Sequence, residues 1–155
     1  MKRPAHAAAV LFSAMLTVGA AAAGCGSSAK STSAPAPPVV VPGPAGAYRD
    51  INVSAGRREV TLIGAQIGPL VPLVAARSFV PTEPLASYGL DPPAARLTYD
   101  RSSGAPLTLL VGSAGFDAHF VYVMDPVGRL VYTVASDQLR AVLAQVGVTV
   151  PQPTS

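Results

Sequence analysis

Apolar positions in this chain fall into short runs separated by turn residues, and the spacing inside each run distinguishes strands from helices. In residues 59–67 (EVTLIGAQI), Val60 and Leu62 alternate with polar neighbours, which predicts a half-buried strand. Residues 95–99, 107–111, 119–124 and 129–134 are rich in β-branched, aromatic and other apolar residues and predict four more. Asp125-Pro126-Val127-Gly128 carries proline at the second position of a turn and glycine at the fourth, so the last two runs should form a hairpin. The period then changes: Leu139, Val142, Leu143 and Val146 recur at spacings of three and four. Ser136 is placed to cap the helix this predicts, Asp137 stands in its first turn, and Gly147 ends it.

Residues 69–79 are apolar as well, but Pro69 and Pro72 confine any helix there to about residues 72–77. Residues 83–88 can make one helical turn; Gly89 would stop it in a left-handed conformation, and Pro92-Pro93 forbid its continuation. These elements predict an α+β domain: a small, mainly antiparallel sheet of about four to five strands with the C-terminal helix packed on one face.

A different pattern opens the chain. Lys2 and Arg3 precede an uncharged stretch, residues 7–24, in which Val10, Leu11, Phe12, Met15, Leu16 and Val18 supply the hydrophobicity. A basic head, an apolar middle and a small-residue end predict an export signal over residues 1–24, discarded rather than folded. The run approaches bilayer-spanning length, but about half of it is alanine and glycine and no basic stop-transfer cluster follows.

The signal ends on the only cysteine in the sequence. Ala22-Ala23-Gly24-Cys25 resembles the lipobox of bacterial lipoproteins, with Ala22 where that motif usually carries leucine. The resemblance implies cleavage between Gly24 and Cys25 and transfer of a diacylglycerol to the Cys25 thiol, followed by palmitate-like acylation. Ordinary cleavage after the alanines would instead leave Cys25 as a stray thiol. A lone thiol makes no internal disulfide and so adds nothing to the fold in an oxidising compartment. Two acyl chains, at about 0.8 kcal/mol per buried methylene, anchor a protein stably where one chain is marginal.

Residues 26–47 (GSSAKSTSAPAPPVVVPGPAGA) have no apolar period and a single charge, Lys30. Such a segment cannot bury enough surface to offset its ordering entropy, and it predicts a disordered tether over residues 25–47. An edge strand at Val39, Val40 and Val41 is disfavoured by the flanking prolines. One α+β domain over residues 48–150 then remains, an ordinary size, with residues 151–155 as a tail.

Charge narrows the partners. Loss of Lys2 and Arg3 with the signal takes eleven basic residues to nine against eight acidic ones, a net charge near +1. With no basic run and no tryptophan, nucleic-acid binding is not expected. The excess of arginine over lysine, with abundant alanine, glycine and proline, has the look of an actinobacterial-like, high-GC genome.

The succession YGLDPPAARLTYD, PLTLLVGS, HFVYVM and RLVYTVASDQLRAVL resembles the family catalogued as domain of unknown function 4340, over about residues 83–146. Tyr88, Gly89, Leu90, Asp91 and Pro93 correspond to its turn motif; Leu109, Leu110, Gly112, Tyr122, Val131 and Tyr132 correspond to its later strands. Longer members carry more than one copy and often an early tryptophan, both missing here. The resemblance implies a bacterial envelope protein and assigns no catalytic residue. Physically, the plainer reading of the matched residues is structural rather than a ligand site: Gly89 is expected at positive φ, Asp91 can bond amides of its own turn, and Tyr122 and Tyr132 are expected as cross-strand neighbours.

Groups able to run catalysis are few. Asp117 and His119 lie two apart, which on one strand puts them on one face as a possible general-base pair for a hydrolase-like enzyme. No nucleophile motif such as G-x-S-x-G accompanies them, and a solvated turn is the plainer explanation. No H-E-x-x-H, C-x-x-C or phosphate-cradling loop occurs, so neither metal nor cofactor is expected. Carriage of a lipid or glycolipid would need a pocket that a domain of this size can scarcely open. The expectation is a lipid-anchored, non-enzymatic binding or scaffolding module on the extracytoplasmic face of the cell membrane, acting on an unknown envelope protein through a sheet edge or turn.

Overall fold

The computed structural model describes residues 35–150 apart from 115–117. Its strands are β1 (Val39–Val41), β2 (Tyr48–Ala55), β3 (Arg58–Ile63), β4 (Leu73–Phe79), β5 (Ala95–Arg101), β6 (Leu107–Ala114), β7 (Phe120–Asp125) and β8 (Leu130–Ala135), followed by one helix, α1 (Ser136–Gln145). The strands form one antiparallel sheet in the order β1-β4-β8-β7-β6-β5-β2-β3. The α+β class and the C-terminal helix stand as expected, but the sheet has eight strands, not four to five. Among the described residues no helix is long and apolar enough to cross a membrane.

Three strands account for the difference, and bulges explain two of them. In β2 the pairing with β5 slips between Tyr48 and Asp50, so the buried positions are Tyr48, Ile51 and Val53 rather than a strict alternation. In β4 a second slip between Ala75 and Arg77 breaks the alternation after Leu73 and Ala75; of residues 72–77, expected as a possible helix, 73–77 are strand. An extra residue on one strand reverses the side-chain parity beyond it, which erases the period-two signal.

The third strand corrects the domain boundary. Residues 39–47, expected to belong to a disordered tether, are folded: β1 pairs with β4, and Ala45–Ala47 form a 3₁₀ turn. Val41 is 0% exposed and Val40 is buried in the same core, whereas Val39 is 53% exposed. The prolines do not forbid this because β1 is the outermost strand. Pro38 contributes only its carbonyl, which accepts the Ala75 N–H at 2.9 Å.

The two faces of the sheet are covered differently. Over one lies α1, whose Leu139, Val142 and Leu143 meet Val53, Leu62, Leu97, Leu109, Val123 and Val134 in the main core. Each such side chain taken fully from water is worth roughly 1.5–3 kcal/mol. The other face carries a smaller cluster of Leu90, Met124 and Val131, with Phe79, Leu85, Tyr88, Leu110 and Tyr122 against it. Because Tyr122 pairs with Thr133, and Tyr132 with Val123, the two tyrosines sit on opposite faces and are not the cross-strand neighbours expected.

Both ends of α1 are fixed by the backbone. Ser136 is not its cap; Ala135 is, with no side-chain cap bond. The helix leaves β8 without a linker, so Ser136 is buried. Its N–H donates to the His119 carbonyl at 2.8 Å and its hydroxyl to the Ala118 carbonyl at 3.0 Å. At the other end Gly147 has φ +78° as expected; its N–H donates to the Ala144 carbonyl, and the Val148 N–H to that of Leu143.

Tyr99 lies wholly inside the main core, edge-on to Tyr48 with ring centroids 5.6 Å apart. The Tyr48 hydroxyl donates to the Pro42 carbonyl at 2.7 Å, but the Tyr99 hydroxyl has no partner among the described residues. Burial, and then the neighbouring Tyr48, raise the Tyr99 phenol well above its ordinary 10.0. Below pH 10 both folded and unfolded chains hold this proton. Above it the unfolded chain releases the proton while the folded one keeps it, so stability falls as pH rises. Tyr99→Phe should therefore unfold less steeply with pH in alkaline titrations followed by circular dichroism. At pH 7 it should gain about 1 kcal/mol in urea by removing an unsatisfied buried hydroxyl.

Candidate functional site

Among the described residues, two hollows and an open strand edge could engage another molecule. The first hollow lies under the turn motif. Leu85–Tyr88 form a 3₁₀ turn, Gly89 closes it with φ +64°, and the Leu90 N–H returns to the Leu85 carbonyl at 3.0 Å. The motif thus folds as the expected turn with its left-handed glycine. Asp91 is exposed on its outer side, and its carboxylate makes no hydrogen bond with a described residue, contrary to the expected bond within the turn.

The turn seats on β6 at Gly112, the one position of that strand where its backbone can come close. A Cβ on Gly112 would be driven into the Tyr88 carbonyl oxygen and would stand 3.2 Å from Leu90 Cγ. Tyr88 then closes an aromatic cluster with Phe79 (centroids 5.7 Å) and Tyr122 (5.1 Å), both contacts tilted or edge-on. Beside the cluster, Leu85, Leu110 and Met124 floor an open hollow of about 480 Å³, bounded by Pro81, Pro84, Pro126, Glu83 and Arg129. Its charged groups stand on an exposed rim. Arg129, at φ +53°, takes the left-handed position of the β7–β8 hairpin, where its N–H donates to the Asp125 carbonyl at 2.9 Å.

The second hollow is on the helical side. From β3 the chain makes two 3₁₀ turns, Gly64–Gln66 and Gly68–Leu70, before entering β4. Between these turns and α1 lies a notch of about 210 Å³ lined by Leu62, Gln66, Pro69 and Leu70 on one side and Gln138, Ala141, Val142 and Gln145 on the other. The helical residues form a single stripe at spacings of three and four, next to the core-facing stripe. Gln66 Oε1 accepts the Ile63 N–H at 3.2 Å. Gln138 Oε1 is buried with no partner among the described residues.

β3 borders this notch through Leu62 and is one of the two outer strands of the sheet. A two-residue turn joins it to β2, so Ala55 and Arg58 bond each other and the ladder alternates from there. The backbone groups of Glu59 and Thr61 accordingly point away from β2. Ile63, at the end of the strand, is 62% exposed. The opposite edge, β1, is only three residues long and bracketed by Pro38 and Pro42, a form that resists further pairing.

The remaining expected residues are placed as follows. Gly24 and Cys25 lie outside the described residues, as does Asp117. His119 is exposed in the turn leading into β7, and its carbonyl holds the start of α1. Among the described residues no three His, Cys, Asp or Glu side chains gather as a metal site. Gln66, Gln138 and Gln145 had no part in the expected site, and Gly112 entered only as one of the strand residues that carry the resemblance. The glutamine stripe is visible once the helix phase is known, but the turn facing it has no periodic signal. Compared with family models, with curated proteins and with solved structures, the chain gives no match.

Proposed function

We propose that this protein is a lipid-anchored, non-enzymatic module on the outer face of the cytoplasmic membrane, binding another envelope component through the open edge of its sheet. The observation that carries the anchor is Ala22-Ala23-Gly24-Cys25 at the end of an apolar run, where a thiol useless for disulfides is suited to acylation. The turn seated on Gly112 is consistent with the resemblance to the domain of unknown function 4340 family, whose motif residues it uses structurally. Binding through an edge is favoured by β3, which is six residues long, free of proline and bordered by the notch.

Carriage of a lipid is the weaker reading. The layer between α1 and the sheet is filled by fully buried side chains, and both hollows open at the surface. A catalytic role for Asp117 and His119 rests on their spacing in the sequence, Asp117 lying outside the described residues.

Metabolic labelling with an alkyne fatty acid tests the anchor. The wild-type protein should take up label and sediment with membranes, and Cys25→Ala should lose the label and appear in the soluble fraction. An exported wild-type form that is soluble, with its first residue unmodified, ends the proposal.

A further inference from the structure

Two large apolar side chains stand out in water beside the hollow under the turn motif. Val80 is 68% exposed and Val127 is 92% exposed. Each adjoins a proline that lines the hollow, Pro81 and Pro126, and Pro84 joins them on the rim. With Leu85, Leu110 and Met124 as the floor, these residues gather around one open space of about 480 Å³. Apolar residues clustered in this way mark an interaction site, whereas single exposed ones do not.

The backbone of the rim is equally short of groups that need water. Its three prolines have no N–H. The Val127 N–H donates to Asp125 Oδ1 at 2.9 Å, and the Arg129 N–H to the Asp125 carbonyl at 2.9 Å. At these positions the donors that would lose water in an apolar medium are absent or already paired. A partner strand requires the opposite, free N–H groups.

Chain direction relates the patch to the proposed anchor. β1 runs antiparallel to β4 with Pro38 level with Ala75, so the chain reaches β1 from the side where β4 ends and Val80 follows. Ten residue steps separate Cys25 from Pro35, at most about 35 Å of chain.

We infer that the patch around this hollow rests on the lipid bilayer, with Val80, Val127 and the prolines entering the boundary between headgroups and acyl chains. The inference rests on the anchor proposed above and adds which surface of the domain meets the membrane. Arg129 and Glu83, exposed on the rim, stay at headgroup depth, where lipid phosphate and ammonium groups receive charges of each sign. A weak contact suffices, because a tethered domain meets its own membrane at high effective concentration.

The test uses the full-length acylated protein in vesicles of phosphatidylethanolamine and phosphatidylglycerol. A fluorophore is placed on Thr82→Cys, between two residues of the hollow, or on Thr61→Cys, on the outer strand β3. With lipid brominated near the headgroup end of its acyl chains, the Thr82→Cys probe should be quenched about threefold or more as strongly as the other. Val127→Asp should lower its quenching to the Thr61→Cys level, and Ile63→Asp, also exposed but outside the patch, should leave it unchanged. Neither substitution touches a buried side chain, and circular dichroism should show both variants folded.

Intact mass before labelling separates the two levels. Acylated protein whose two probes are quenched alike overturns the inference and keeps the anchor, as does quenching at Thr82→Cys that survives Val127→Asp. A photo-crosslinker at residue 82 that captures protein instead of lipid in cells overturns it too. Unmodified Cys25 removes the anchor and the inference together.

Discussion

Replacing Gly112 by alanine should cost about 3 kcal/mol or more, and by valine should leave little folded protein at 37 °C. The added carbon has nowhere to go: the nearest atoms are the Tyr88 carbonyl oxygen, Leu90 Cγ at 3.2 Å and the Gly89 carbonyl carbon at 3.3 Å. Two of these are backbone, so relief requires the whole turn over residues 85–90 to lift from β6. Lifting it uncovers Leu90 and Met124 and parts Tyr88 from Phe79 and Tyr122. Overpacking of this kind typically costs about 1–3 kcal/mol where side chains can yield, and more where they cannot. Differential scanning calorimetry should show the midpoint falling by roughly 10 °C or more for Gly112→Ala. Gly68→Ala is the control. A Cβ there meets nothing within 4 Å and the φ is not positive, so the midpoint should stay near wild type. Equal melting of the two variants would mean that the turn does not seat on β6.

Val41→Asp should be nearly as damaging, and it tests where the domain begins. If residues 39–47 were a solvated tether, a charge at Val41 would be harmless. As part of β1 its side chain is 0% exposed among Tyr48, Leu73 and their neighbours in the main core. Placing a carboxylate there costs several kcal/mol of desolvation, a large share of the 5–15 kcal/mol that holds a typical domain together. The introduced acid would have its pKa raised by burial. The penalty should therefore be greatest at neutral pH and ease as acidification protonates it. Val39→Asp, two residues away but 53% exposed, should change stability by no more than about 0.5 kcal/mol. Equilibrium unfolding of both variants by urea at pH 7 gives the contrast, and matching midpoints would return the segment to the tether.

Strands that carry no bulged residue of their own were the readable part of the sheet. β5, β7 and β8 lie within a residue or two of the runs expected from their apolar content, and the β7–β8 hairpin turns where Asp125-Pro126 predicts. The residues that break rules were harder to see. Gly112 sits in the middle of a strand where glycine normally weakens the sheet. Its purpose emerges only when a turn more than twenty residues earlier in the chain is laid across it. Ser136 carries the local signature of a cap, but β8 runs directly into α1. That geometry gives its hydroxyl a carbonyl from the loop before β7 instead. The notch glutamines read as ordinary solvated helix positions until Gln66 arrives from the far end of β3.

An antiparallel α+β domain, its hairpin and its terminal helix are written locally, in periods and turn residues that act over a few positions, and the proposed acylation at Cys25 likewise rests on a local stretch of sequence. The strand count, the outer position of Val39–Val41, the seat at Gly112 and the notch that Gln66 and Gln138 both line depend on contacts between distant segments. A bulge shifts parity by one residue at almost no cost in composition, and a proline is harmless or disruptive according to which side of a strand is already occupied. Only the folded sheet fixes those two conditions, because both are properties of a strand's neighbours and not of the strand.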